Sequence, residues 1–163
     1  MNITVTVKGG LDDYADGLEE KANELAQQLV FIGKQKALEK LAAAEYAGTK
    51  AGVKVLASGA REGKAALFAF GSNAMFIEFG TGVTDVVSTL HPLFQLVPPR
   101  GSYGKGKGMN PPWYYKGDPG NGGELLKNGF VRTWGNDPGR YMYDASVLMR
   151  RVAVKTAKEV FEE

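Results

Sequence analysis

A chain of 163 residues with 44% apolar and 23% charged side chains suits one globular domain, residues 1–163, with one sizeable core. A formal charge of +2 gives no global electrostatic case for a nucleic-acid binder, and the absence of cysteine excludes disulfide scaffolds and thiolate metal sites. The chain does not open with a basic stretch followed by an apolar run, and no window approaches the roughly 20 apolar residues of a membrane helix, so a protein made and used inside a cell is expected.

Ile3, Val5 and Val7 alternate with Asn2, Thr4, Thr6 and Lys8, the period of a half-buried strand that Gly9-Gly10 ends. From Leu11 the period changes. Leu11, Leu18, Leu25 and Ile32 fall seven apart, with Tyr14, Ala22 and Leu29 between them, as one apolar stripe of an amphipathic helix. Asp12, Asp13 and Asp16 favour its first turns through the helix dipole. The stripe resumes off register at Leu38 and Leu41, which predicts one helix over about residues 11–47 with a kink or break near Gly33. A β-hairpin over 53–70 follows, its second strand carrying Ala66, Phe68 and Phe70 on one face. Leu18, Leu25 and Leu29 are expected to pack on that face.

Asn73 to Phe79 reads as a short helical turn with Asn73 as N-cap and with Met75 and Phe79 sharing a face; Gly80 should end it at positive φ. Residues 83–129 then form a loop-rich insertion crowded with proline and glycine. Within it, Trp113-Tyr114-Tyr115 should pair as a short strand with Phe130–Trp134. Asp137 offers an N-cap, with Pro138 at the first position of a last helix. That helix carries Met142, Ala145, Met149, Val152, Thr156 and Val160 along one face. Strands lying between two long helices, without βαβ alternation, indicate an α+β fold: a mainly antiparallel sheet covered by the N-terminal and C-terminal helices.

Catalytic chemistry finds little support in these residues. Gly101-Ser102-Tyr103-Gly104-Lys105-Gly106-Lys107-Gly108 approximates a phosphate-binding loop. It lacks the Ser or Thr that should follow the lysine, and Met109-Asn110-Pro111-Pro112 cannot start the helix such a loop needs. His91 is the only histidine, so zinc catalysis is not expected, and neither a catalytic residue, a metal nor a cofactor is assigned. Glu78, among apolar neighbours, is either a carboxylate on the exposed edge of the short helix or a contact across a subunit interface. Arg100, Lys105, Lys107 and Lys116 make the 100–116 stretch basic without an acidic residue, next to Tyr103 and Trp113–Tyr115. That combination suits phosphate contact and base stacking, although loops without core duties are often merely basic and solvated.

Phe76-Ile77-Glu78-Phe79-Gly80-Thr81-Gly82 resembles the signature of the tail-completion, or head–tail joining, proteins of long-tailed bacteriophages and prophages. Other pieces agree in order: the opening strand running into Lys8-Gly9-Gly10-Leu11-Asp12, the long helix, Trp113-Tyr114-Tyr115, Thr133-Trp134-Gly135, and Arg140-Tyr141-Met142-Tyr143-Asp144-Ala145. The resemblance implies an α+β structural protein of the virion neck or tail, made in the bacterial host cytoplasm, with no enzyme activity and no cofactor. It implies assembly into rings with itself and docking onto other neck or tail-tube proteins, with no membrane partner. Phe76, Glu78, Phe79, Gly80, Thr81 and Gly82 would serve as motif and subunit contacts. Arg100, Lys105, Lys107 and Lys116 would lie nearest any packaged DNA, in contact that ignores its sequence. A tail terminator or head-closure protein is the neighbouring reading; a nucleotide-binding or toxin-like enzyme using the glycine-rich loop is the rival of another class.

Overall fold

The computed structural model describes residues 1–6, 15–44, 52–80, 112–117, 119 and 123–162. In chain order these form β1 (Asn2–Thr6), α1 (Ala15–Ala43), β2 (Lys54–Ala57), β3 (Lys64–Phe70), α2 (Ala74–Phe79), β4 (Trp113–Tyr115), β5 (Gly123–Leu125), β6 (Val131–Thr133) and α3 (Tyr141–Glu162). All strand pairs are antiparallel and the long helices come first and last, so the fold is α+β. The strands form two three-stranded sheets. The chain divides into two compact units: Met1–Glu39 with Lys54–Phe70 and Met142–Glu163, and Lys40–Val53 with Gly71–Tyr141.

In the first unit the strand order is β1-β3-β2, with Ile3 opposite Leu67 and Leu56 opposite Phe68. The β2–β3 hairpin closes at Arg61–Lys64, whose amides and carbonyls exchange two hydrogen bonds of 2.9 Å. Glu62 and Gly63 both have positive φ, 53° and 66°, as a type I′ turn requires to match the strand twist. Asn23 Oδ1 accepts the Gly63 amide at 2.9 Å and Gln27 Oε1 accepts the Ala60 amide at 3.0 Å, so α1 holds the turn by its polar side chains. Lys21 Nζ donates to the Val160 carbonyl at 3.0 Å, placing a cation at the negative end of α3.

The buried face of β3 is Ala65, Leu67 and Ala69; Phe68 is half-buried and Phe70 is exposed. The expectation that α1 packs on Phe68 and Phe70 is therefore corrected by one residue of register, which exchanges the two faces of a strand. Ala26 and Val30 pack with Ala65, a small side chain that lets the helix approach the sheet. Leu25 and Leu29 form a second cluster with Val160, backed by Val5, Val152 and Ala157.

No break occurs in α1 at Gly33. The buried positions Ala26, Val30, Gly33, Ala37, Leu41 and Ala44 advance in steps of three and four, and Leu38 is exposed. Gly33 is itself a member of the stripe. A Cβ there would lie 2.5 Å from Met149 Sδ, so the glycine serves a close approach of α1 to α3 rather than a bend. Along α3 the expected face is confirmed: Met142, Ala145, Met149, Thr156 and Val160 are buried and Val152 is half-buried. Its start is not where Asp137-Pro138 predicts. Arg140 has φ 52°, outside the helical region, and the helix begins at Tyr141.

In the second unit the order is β4-β6-β5. The expected pairing of β4 with β6 is present, Trp113 opposite Thr133 and Tyr115 opposite Val131. β5, not anticipated, completes the sheet with Gly123 opposite Thr133. Glycine carries no strand signal, and the same crowding of Gly and Pro marks the run as loop.

Candidate functional site

The Phe76–Gly80 segment is a joint. α2 occupies six residues, and Asn73 stands at its N-cap position without a side-chain cap hydrogen bond. Ile77, Glu78 and Phe79 are buried, Phe76 is half-buried and Met75 is exposed, so Met75 and Phe79 do not share an environment. Gly80 has φ 78° and ψ 178°, a region essentially reserved to glycine, as its place at the helix end predicts. A Cβ at Gly80 would meet the Asn136 carbonyl oxygen at 2.5 Å and Pro138 N at 2.9 Å. Beyond the turn, the Gly139 amide donates to the Ile77 carbonyl at 2.7 Å and the Arg140 amide to the Glu78 carbonyl at 3.2 Å. The Tyr141 hydroxyl donates to the Ala74 carbonyl at 3.1 Å. These bonds satisfy carbonyls that so short a helix leaves open.

Glu78 is 1% exposed, which removes the reading of a carboxylate on an exposed edge. Burial, and then the negative charge of Glu78, push the phenol of Tyr141 well above its ordinary value. The Tyr141 ring is fully buried, and Thr133 and Asn136 are further buried polar residues of this unit. The Thr133 hydroxyl accepts the Gly135 amide at 3.1 Å, which fixes the chain as it leaves β6.

The sheet of this unit presents a different surface. Alternation along β6 buries Val131 and Thr133 completely and turns Arg132 outward. Arg132 stands opposite Tyr114 on β4 and Glu124 on β5, one row across three strands. Arg132 Nε donates to Glu124 at 2.9 Å, and this bond more than any other influence holds the guanidinium above its ordinary value. The guanidinium lies 5.0 Å from the centroid of the Trp134 ring, and Lys116 Nζ lies 5.2 Å from that of Phe130. Trp134 is 50% exposed and Tyr114 46%. Tyrosine, tryptophan and arginine held rigid at a surface are the side chains that dominate protein interfaces, because they supply area and directed hydrogen bonds at low entropic cost.

Of the basic residues singled out in the sequence, Lys116 borders this face. Arg100, Lys105, Lys107, Thr81, Gly82 and His91 lie outside the described residues. Among the described residues no three acidic or histidine side chains are grouped to hold a metal, and no helix is long and apolar enough to cross a membrane. Sequence reasoning used Phe130–Trp134 for strand pairing and overlooked that Phe130, Arg132 and Trp134 share one face, although the alternation with Val131 and Thr133 carries that signal. Comparison with protein-family models, curated proteins and solved structures finds no match for this chain.

Proposed function

We propose that the chain is a bacteriophage structural protein that completes the tail or joins head to tail, a ring-forming subunit without catalysis. The observation that supports this reading is the joint itself. Two of the segments that carry the resemblance, Phe76–Gly80 and Arg140–Tyr141, are far apart in the chain and are joined by the bond from the Arg140 amide to the Glu78 carbonyl, with the flanking Gly139–Ile77 and Tyr141–Ala74 bonds on either side. Motif pieces that depend on one another physically are what a shared architecture requires. The residues between them lead to the Tyr114–Arg132–Trp134 face, whose composition suits docking onto a protein neighbour. A closed ring needs two unlike surfaces per subunit, and this face would be one of them.

The test is genetic. In the phage or prophage that encodes the chain, a nonsense allele should yield DNA-filled heads and separate tails by negative-stain microscopy. A Tyr114→Ala, Trp134→Ala double substitution should reproduce that phenotype while the purified protein stays folded. Complete virions from the nonsense allele would overturn the proposal, and saturable nucleotide binding by titration calorimetry would support the enzyme reading.

A further inference from the structure

In the first unit, a groove of about 610 Å³ runs beside β1. Ile3, Thr4, Val5 and Thr6 all line it, together with Leu25 and Leu29 of α1 and Met149, Ala153 and Val154 of α3. Successive side chains of a strand point to opposite faces, so four consecutive residues line one cavity only when it follows the strand's edge. Among the described residues β1 pairs with β3 alone, which leaves its other edge without a strand partner. Exposed edges are normally guarded by charge, proline or a bulge, and Asn2–Thr6 has no charged residue, proline or glycine. The opposite edge strand, β2, begins with Lys54. An unguarded edge along an apolar groove is the arrangement that receives an added strand: main-chain bonds give affinity and alternate side chains fill the groove.

Charge decides what kind of strand. α3 carries Arg150, Arg151, Lys155 and Lys158 against Asp144, Glu159 and Glu162, with Lys155 ion-paired to Glu159 at 3.4 Å, but the one charged residue among the described residues lining the groove is a cation, Arg150. Arg150 lines the groove itself, and Val154 beside it is 70% exposed. Val147, Val154 and Phe161 recur every seven residues and are all exposed, so the apolar wall continues as a stripe along the helix. Helical spacing places Arg150 on one side of this stripe and Arg151 and Lys158 on the other. A second copy of the chain pairing β1 with β1 would bring an identical lining to the groove, with the same cation, Arg150, and no carboxylate to meet it. A strand bearing carboxylates would supply one.

We propose that this groove seats an extended segment of a partner protein, added beside β1, apolar at alternate positions and acidic where it reaches Arg150 and its cationic neighbours. The proposal is independent of the phage reading. Its test uses the full chain and fluorescein-labelled heptapeptides in fluorescence anisotropy. The probe Glu-Val-Thr-Val-Thr-Val-Glu should bind saturably, at least about tenfold more tightly than the same peptide with terminal lysines or a scrambled order, and less tightly as salt rises. Arg150→Glu should reverse the preference between acidic and basic ends, and Val154→Asp should weaken the acidic probe about tenfold; both positions are exposed. Amide hydrogens alternate along a strand, so N-methylation at the valines and at the threonines should differ: one should abolish binding and the other preserve it. Equal binding by both methylated peptides, or no saturable binding by any probe, would overturn the proposal. So would concentration-dependent dimerisation in sedimentation that Val154→Asp abolishes, since a second copy would then be the occupant.

Discussion

On β3, the central strand of one sheet, the side chains turned inward are Ala65, Leu67 and Ala69; on β6, the central strand of the other, they are Val131 and Thr133, with Arg132 turned out between Tyr114 and Glu124. The first sheet uses a small inward residue, Ala65, where Ala26 and Val30 of α1 arrive, and its strands meet long helices that bury area by periodic repetition. The second is made of three-residue strands whose outward face is ordered by cation–ring and ion-pair contacts. The contrast separates two uses of one architecture. The first face is energetic, since removing its apolar contacts removes stability, and the second is a surface, since removing its side chains should leave the fold standing.

The largest expected effect follows from that division. Leu29 is buried between α1 and α3, and Leu29→Ala should cost about 2–5 kcal/mol in urea unfolding. Tyr114→Ala and Trp134→Ala should each stay within about 0.5 kcal/mol, because both rings are about half exposed. Comparable losses at all three positions would erase the distinction between the sheets.

Next in size is Gly80→Ala. Its positive φ and extended ψ strain any side chain, and the atoms that the new methyl meets are backbone atoms of Asn136 and Pro138, which cannot swing aside. Strain and displacement together should cost about 3 kcal/mol. A melt within about 0.5 kcal/mol of the wild type would show that the joint yields to the added methyl.

Periodicity announced β1, α1, the hairpin and α3, because each buries a repeating face and repetition survives in sequence. Gly80 was readable because a glycine after an apolar turn has one common use. The inward face of β3 was misread because Phe68 and Phe70 outrank Ala65 and Ala69 in hydrophobicity, whereas the helix selects for fit. Arg140 at positive φ carries no sequence signal, so the start of α3 was placed too early. The outward row of Tyr114, Arg132 and Glu124 needed the register of two strand pairs, and β5 was invisible behind its glycines.

A third prediction concerns pH and the buried end of the joint. The Tyr141 phenol is raised in the folded state by burial and by Glu78, so it keeps its proton where the unfolded chain, with an ordinary value near 10, loses it. Its contribution is fully present below pH 10 and declines above that, at up to about 1.4 kcal/mol per pH unit. Tyr141→Phe loses the hydrogen bond to Ala74 and should be about 1 kcal/mol less stable at pH 8.5. Between pH 8.5 and 11 the wild type should then lose about 1 kcal/mol more than the variant in urea melts. Equal losses would mean that other groups govern the alkaline limb.

The smallest effect discriminates most finely. Gly33→Ala in α1 gains about 1 kcal/mol of helix propensity, since alanine restricts the unfolded chain and suits the helix interior. Against that gain, the new methyl would sit 2.5 Å from Met149 Sδ and 3.0 Å from its Cγ. Unlike the backbone atoms facing Gly80, a methionine side chain has three rotatable bonds and can withdraw, so the overpacking cost should lie near the low end of about 1–3 kcal/mol. The net change should fall within about 1 kcal/mol of zero. In a Met149→Ala background the obstacle is gone, and the same substitution should become stabilising by up to about 1 kcal/mol, a coupling that a double-mutant cycle isolates. If Gly33 instead permitted a bend in α1, alanine would destabilise equally with and without Met149. A cycle with no coupling would therefore restore the bend and displace the close helix approach as the reason for glycine at this position.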